Sequence, residues 1–354
     1  MAVRSHQSRI PRFPLQRPAL AAALAGVALL TACGGGGGDS SASTATTLSQ
    51  PDAAADIANS SATGDDAATA MDTVIDTTSA LAVTMSQTAS ASASQRAQAE
   101  SVRSDTAAAA APVATATVNC AGGGTATVSI SGDSTAAMEL DGQLDAGERY
   151  TVTYAQCTGG AGWTQLNGSV VMDVTAADHA TSPASFSVNL TVTDLALSLP
   201  AGTATLAGTA TVSRSVATAN GTTTTSSHVT VPSATLATAF NSRTGSFTLT
   251  GLDATRTLTW VGGAVTASQY SGQHTLSGTA WGRTFSMTVS TAGNVDYDAT
   301  GALVAGSWTV VRPRATIAAT VANGTVVMTV DDGNDGTIDH TWTFPVAQLD
   351  ASAG

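Results

Sequence analysis

The chain has 354 residues, with 13 basic against 25 acidic side chains and a formal charge of −12; every basic residue is Arg. An acidic chain without basic clusters is repelled by phosphate backbones and anionic headgroups, so composition argues against a nucleic-acid partner and against membrane attachment by charge. Aromatic residues make up only 4%, so the fold has to be read through Ala, Thr, Ser, Gly and Val.

Arg4, Arg9, Arg12 and Arg17 precede an apolar run from Ala19 to Leu30, which ends in Leu30-Thr31-Ala32-Cys33. A basic segment, a short apolar segment and a small-residue cleavage site make a secretory signal. About a dozen apolar residues fall short of the ~20 that cross a bilayer as a helix. The last four residues resemble the lipobox of bacterial lipoproteins. That resemblance implies cleavage after residue 32, lipidation of Cys33 with palmitate among the acyl groups, and a membrane partner reached only through the lipid. Cleavage removes four arginines and no carboxylate, taking the formal charge to −16. Gly34 follows the Cys, where an Asp tends to retain lipoproteins in the inner membrane of enteric bacteria; the resemblance therefore implies the outer membrane, on its periplasmic or its surface side.

Residues 33–64, opening with five glycines after Cys33, read as the lipidated residue and a flexible, disordered tether, because Gly, Ser, Thr and Ala cannot bury enough apolar surface to offset chain entropy. Residues 65–112 read as a helical and low-complexity segment. Asp65 and Asp66 are candidate caps, Met71, Val74, Ile75, Leu81, Ala82 and Met85 recur near helical spacing, and Pro112 stops the Ala-rich stretch that follows.

From 113 to 350 apolar residues alternate with Thr and Ser in short runs, as in Phe186-Ser-Val188-Asn-Leu190-Thr-Val192. Period two puts one face on a core and a hydroxyl-rich face in water, as antiparallel sheets allow. Asn220-Gly221 and Asn323-Gly324 read as hairpin turns, and a slip of phase near Thr193-Asp194 reads as a bulge. Helical pattern is absent from this stretch. The fold class is all-β: an antiparallel meander curled into a barrel or strongly curved sheet, preceded by the short helical segment and the tether. Two stacked sheets are the alternative. Gly202–Ala210 matches Gly272–Ala280, with echoes at Gly168 and Gly306; either a repeated hairpin unit or shared composition accounts for this. A glycine inside such strands marks a bend.

Beyond Cys33 only Cys120 and Cys157 remain, and in an oxidising compartment an isolated pair forms one disulfide. The run from Cys120 through the acidic turn Asp141–Glu148 to Cys157 and Leu166-Asn-Gly168-Ser resembles a pattern in uncharacterised β-rich proteobacterial lipoproteins. It implies an exported β fold and carries no activity; the acidic turn itself, Asp141, Asp145 and Glu148, reads as a solvated loop.

Among candidate sites, Asp331, Asp335 and Asp339 fall at positions one, five and nine of a loop resembling Asp-x-Asn-x-Asp-Gly calcium loops, where oxygens at alternate positions converge on a hard cation. Gly333 and Trp342 stand where two further ligands belong, so a plain Asp/Gly turn is the alternative. His340 alternates onto the apolar face beside Trp342, His179 lies in a polar connection, and His228 and His274 are far apart in sequence. There is no Gly-x-Ser-x-Gly elbow, and without Lys no Ser-x-x-Lys site. The expected function is a non-enzymatic outer-membrane lipoprotein of structural or interaction type, with no cofactor. The alternative is an envelope binding module for an apolar ligand, a glycan or calcium, with Trp163, Trp260, Trp281, Trp308 and Trp342 as lining.

Overall fold

Alternating apolar and hydroxyl-bearing side chains build one large antiparallel sheet. The computed structural model describes residues 48–54, 56–58, 75, 114–120, 122–132, 144–158, 164–199, 202–240, 243–280 and 283–352. The leader, Cys33 and nearly all of 65–112 lie outside the described residues. The strands are β1 (Ala114–Asn119), β2 (Gly123–Gly132), β3 (Glu148–Thr158), β4 (Gln165–Asp178), β5 (Ala184–Leu199), β6 (Gly202–Ala219), β7 (Thr222–Phe240) and β8 (Arg243–Val261). They continue with β9 (Ala264–Ala280), β10 (Arg283–Thr291), β11 (Val295–Asp298), β12 (Leu303–Arg312), β13 (Ala315–Ala322), β14 (Thr325–Asp332) and β15 (His340–Pro345).

Each strand pairs antiparallel with the next except at β10 and β11, which share the lane between β9 and β12 and each pair with both. The path begins at β1 and ends at β15, with no pairing between those two among the described residues. One face carries the core, from Val128 and Ile130 on β2 through Met172, Leu190, Val212, Val229 and Leu252 to Ile317 and Met328 on β13 and β14; these side chains form one contiguous buried cluster. A sheet of this width covers a single core only by curving around it, so the expected curled meander is what the chain adopts. The other face carries paired hydroxyls, such as Thr115 with Ser129, Thr275 with Thr288 and Ser307 with Thr320, each pair 3.1 Å apart.

Turn chemistry agrees with the sequence. Asn220 and Gly221 both take positive φ (51° and 76°), as do Asn323 and Gly324 (53° and 73°), the pairing of left-handed residues that a two-residue hairpin requires. The phase slip at Thr193-Asp194 is a bulge, with the register shifting between Val192 and Leu195 and Asp194 at φ 46°.

That bulge belongs to a line of irregularities running across the sheet. Gly168 on β4 sits against it so closely that a Cβ there would fall 2.4 Å from the Asp194 carbonyl oxygen. Gly208 on β6 packs onto β7, where a Cβ would fall 2.7 Å from the Ala234 Cα, and the β6–β7 register shifts beside it. The next shift lies between Thr250 and Asp253 of β8, opposite His274 on β9. Adjacent strands thus bend at adjacent positions, and the sheet folds along a crease from Gly168 to His274. Two of the glycines in the weak repeat, Gly168 and Gly208, owe their identity to this crease.

Two corrections concern helices. Residues 50–54 and 56–58, inside the stretch expected to be tether, are helical and bury Ala53, Ala54 and Ile57 in the core. Ser49 opens this turn, its hydroxyl 2.5 Å from the Asp52 carboxylate, and Asp56, 5% exposed, pairs with Arg312 of β12. Ser, Asp and Ala hold a short helix poorly in isolation, but packing against the apolar face of the sheet supplies the burial they lack. Second, the chain after β15 turns into a short helix, Val346–Ser352, and buries Leu349. Ile75, from the apolar stripe of the 65–112 segment, is helical and buried in the same core.

Cys120 and Cys157 form a disulfide with Cα atoms 5.4 Å apart, tying the end of β1 to β3. In the chain-entropy model a loop of this length stabilises the fold by about 4 kcal/mol.

Candidate functional site

The loop after β14 is organised by backbone donors. Asp331 accepts from the N–H groups of Asp335 (3.1 Å) and Gly336 (2.8 Å), Asp339 accepts from the N–H of Asp332 (2.7 Å), and Asp335 accepts from the N–H of Thr337 (2.8 Å). Thus the three residues expected to ligate calcium point their oxygens at amides around a turn, and no group of three or more His, Cys, Asp or Glu side chains among the described residues is placed to hold a metal. The turn chemistry of Asp and Gly accounts for the cluster. Asp332 holds the incoming N-terminal helix, accepting from the Leu48 N–H at 3.0 Å.

The acidic turn before β3, expected to be a solvated loop, contains a buried carboxylate. Glu148 is 2% exposed and accepts from the Asp145 N–H (2.9 Å) and from the Tyr150 hydroxyl. It closes the turn from inside, which period-two alternation alone did not show. Asp141 lies outside the described residues. His179 bonds the Leu144 carbonyl through Nε2 (2.8 Å), and His228 meets Asp253 on the exposed face at 2.7 Å. His340 and Trp342 stack at 5.2 Å on the core side of β15, as alternation placed them. Trp163 and Trp281 lie outside the described residues. Trp260 is half-buried, while Trp308 is buried, with no partner for its Nε1 among the described residues.

The polar chemistry that the fold does assemble lies on the inner face of β5–β9. Strand register places Phe186, Arg214, Ser227, Arg256 and Tyr270 in one row across five strands, and Val295 of β11 continues it. Arg214 follows buried Val212 by two residues and Arg256 follows buried Ala254 by two, so both arginines face the core side. Arg214 Nε donates to the Ser227 hydroxyl (3.3 Å), and its guanidinium lies 5.6 Å from the Phe186 ring centre. Arg256 is opposite Tyr270 on the neighbouring strand.

Tyr270 leads from this row to the crease. Its hydroxyl overlies Gly272, where a Cβ would fall 2.8 Å from Oη; only glycine leaves that space. His274 comes next on the same face, between the β8 bulge and Val289 of β10. It is 3% exposed, and neither ring nitrogen has a hydrogen-bond partner among the described residues. Burial pushes its pKa down to about 4, so the imidazole is neutral and offers one donor and one acceptor.

None of this could be read from the sequence, in which Arg214, Arg256 and His274 are spread over sixty residues in three strands. The signal that pointed there was an arginine at an inward position of an alternating strand, which hydropathy treats as an ordinary interruption. Comparison with family models, with curated proteins and with solved structures finds no match for this chain.

Proposed function

We propose that the chain is a lipid-anchored outer-membrane lipoprotein of structural or interaction type, acting as a scaffold in the cell envelope and not as an enzyme. The observation that carries this reading is Cys33 at the end of the apolar run Ala19–Leu30, in a leader whose only charges are four arginines. The fold is in keeping with it. One face of the sheet is spent on a continuous core, and the other offers ranks of Thr and Ser hydroxyls, a surface suited to hydrated contacts in an oxidising compartment. The disulfide fits the same compartment.

Metabolic labelling with an alkynyl palmitate tests the anchor. The wild-type chain incorporates the label and fractionates with outer membranes, while Cys33→Ser carries no label and appears in the soluble fraction. Equal labelling of the two chains would refute the reading.

A further inference from the structure

We infer that β1 is the seam of a homodimer, in which the outer edge of this strand pairs antiparallel with β1 of a second copy about a two-fold axis at Thr117. The inference is independent of the lipid anchor. It rests on the backbone of the edge, on its side chains and on the charge of the two ends of the sheet.

First, the backbone of β1 is ready to pair. Its sole strand partner among the described residues is β2, and their register runs from Ala114↔Ile130 to Asn119↔Thr125 without a shift. The Cys120 N–H donates to the Gly124 carbonyl, which continues the same register. Hydrogen-bonded and non-bonded pairs alternate along an antiparallel ladder. The backbone groups of Ala116 and Val118 therefore turn toward β2, and those of Thr115, Thr117 and Asn119 turn to the outer side. The hydroxyl contacts Thr115–Ser129 (3.1 Å) and Thr117–Thr127 (3.2 Å) fit the non-bonded pairs, where side chains approach most closely. Edge strands are ordinarily blunted by Lys, Pro, a bulge or an inward charge. Ala114–Asn119 has none of these.

Second, the strand is complementary to itself, as an isologous contact requires. With the axis at Thr117, that residue faces its own copy and Thr115 faces the partner's Asn119. These are the residues whose N–H and C=O groups point outward, so each pair exchanges both of its hydrogen bonds. Hydroxyl and amide side chains meet on the outer face and extend the Thr and Ser ranks that β1 and β2 already form. On the core face Ala116 comes opposite the partner's Val118, a small residue against a larger one. Both are half-buried in the single chain, and the pairing adds to their cover.

Third, charge selects this pairing over the alternatives. With 25 acidic against 13 basic residues, copies of the chain repel one another over most of their surface. From Ala114 to Gly132, across β1 and β2, there is no charged residue. At the other end, Asp331, Asp332, Asp335 and Asp339 precede β15 with no Arg among them, and Pro345 closes β15 without an amide donor. Two β15 edges therefore repel, whereas two β1 edges approach without opposition.

The test is sedimentation equilibrium of the full chain carrying Cys33→Ser, exported so that the disulfide forms and purified without detergent. Strands this short bury less than the roughly 1,200 Å² of a standard interface, so the dimer is weak and the measurement runs up to about 500 μM chain. The expected result is a reversible monomer–dimer equilibrium. Thr117→Pro removes only an outward N–H and weakens association by at least about tenfold, while its thermal midpoint stays within a few degrees. Thr117→Lys and Thr117→Asp each weaken it as much, by setting like charges opposite each other on the axis. Mixing those two variants restores association to within about threefold of wild type, as a residue that faces its own copy requires. Thr341→Lys, on β15, leaves the equilibrium unchanged.

A wild-type chain that stays monomeric at about 500 μM overturns the inference. So does association that runs past the dimer, the mark of β1 pairing with β15 of the next copy. Wild-type association by Thr117→Lys overturns it too, as does a Lys/Asp mixture that associates no more tightly than either variant alone.

Discussion

The two ends of the sheet face the same problem and solve it differently. At the first, β1 pairs with β2 alone among the described residues, and this end is secured locally: Cys120 is bonded to Cys157 thirty-seven residues away, and the Cys120 N–H donates to the Gly124 carbonyl. At the last, β12–β15 are held by chain from the far end of the sequence. Asp56 pairs with Arg312, and the Leu48 N–H reaches Asp332, 284 residues on. The first fastening is covalent and indifferent to salt and pH. The second is electrostatic, half-screened, and forms only after almost the whole chain has been made. A long meander can thus keep one end ready early and leave the other to be finished last.

The largest effect should come from breaking the covalent edge. Cys120→Ala with Cys157→Ala should cost about 4 kcal/mol in urea unfolding, and reductant should reproduce it in the wild-type chain but not in the double variant. Between the two edges lies His274, and it should make the middle of the sheet the pH-sensitive part. Its native pKa of about 4 is below the unfolded value of about 6.5. Between these values the unfolded state binds the extra proton, so stability falls as pH drops from about 6.5 to 4, by about 3 kcal/mol in all, and is flat above that window. His274→Leu should remove this slope while leaving the response to reductant intact.

Breaking the second edge should cost less. Asp56 is buried but Arg312 is one-third exposed, so Asp56→Ala should fall between the surface and buried ranges for ion pairs, at about 2 kcal/mol. Hydrogen exchange would separate the edges, with faster exchange in β12–β14 and unchanged protection in β2 and β3. The smallest effect is expected at the loop after β14. Asp331→Ala removes acceptors for two amides and should cost about 1 kcal/mol; calcium should leave the melting of the wild-type chain unshifted if those oxygens stay committed to the backbone.

What the sequence revealed and what it concealed divide along the range of the forces involved. Asn220-Gly221, Asn323-Gly324 and the bulge at Asp194 were legible because positive φ and strand phase are written in neighbouring residues. The disulfide was legible because only two cysteines remain beyond Cys33. The helix around Ile57 was not, since its stability comes from a sheet whose first strand begins more than fifty residues later. The crease was concealed for a related reason: each glycine showed a local bend, but only strand register lines up Gly168, Gly208 and the β8 bulge. The row from Phe186 to Tyr270 is a product of register in the same way. Glu148 was misjudged because a carboxylate in an Asp/Gly-rich turn looks solvated until Tyr150 is seen to donate to it.

The contact between Leu48 and Asp332 also sets a direction. It places the incoming chain at the end of the sheet where β14 stops and the Arg312–Ala315 turn lies, which is the end opposite the Asn220–Gly221 and Gly262–Gly263 hairpins. With nineteen residues in β7, those hairpin tips stand up to about 60 Å from the attachment point. Whatever grips the chain upstream of Leu48 therefore holds the molecule by its foot, and the row carrying Arg214 and Arg256 lies in the half of the sheet nearer the far tips, on its core side.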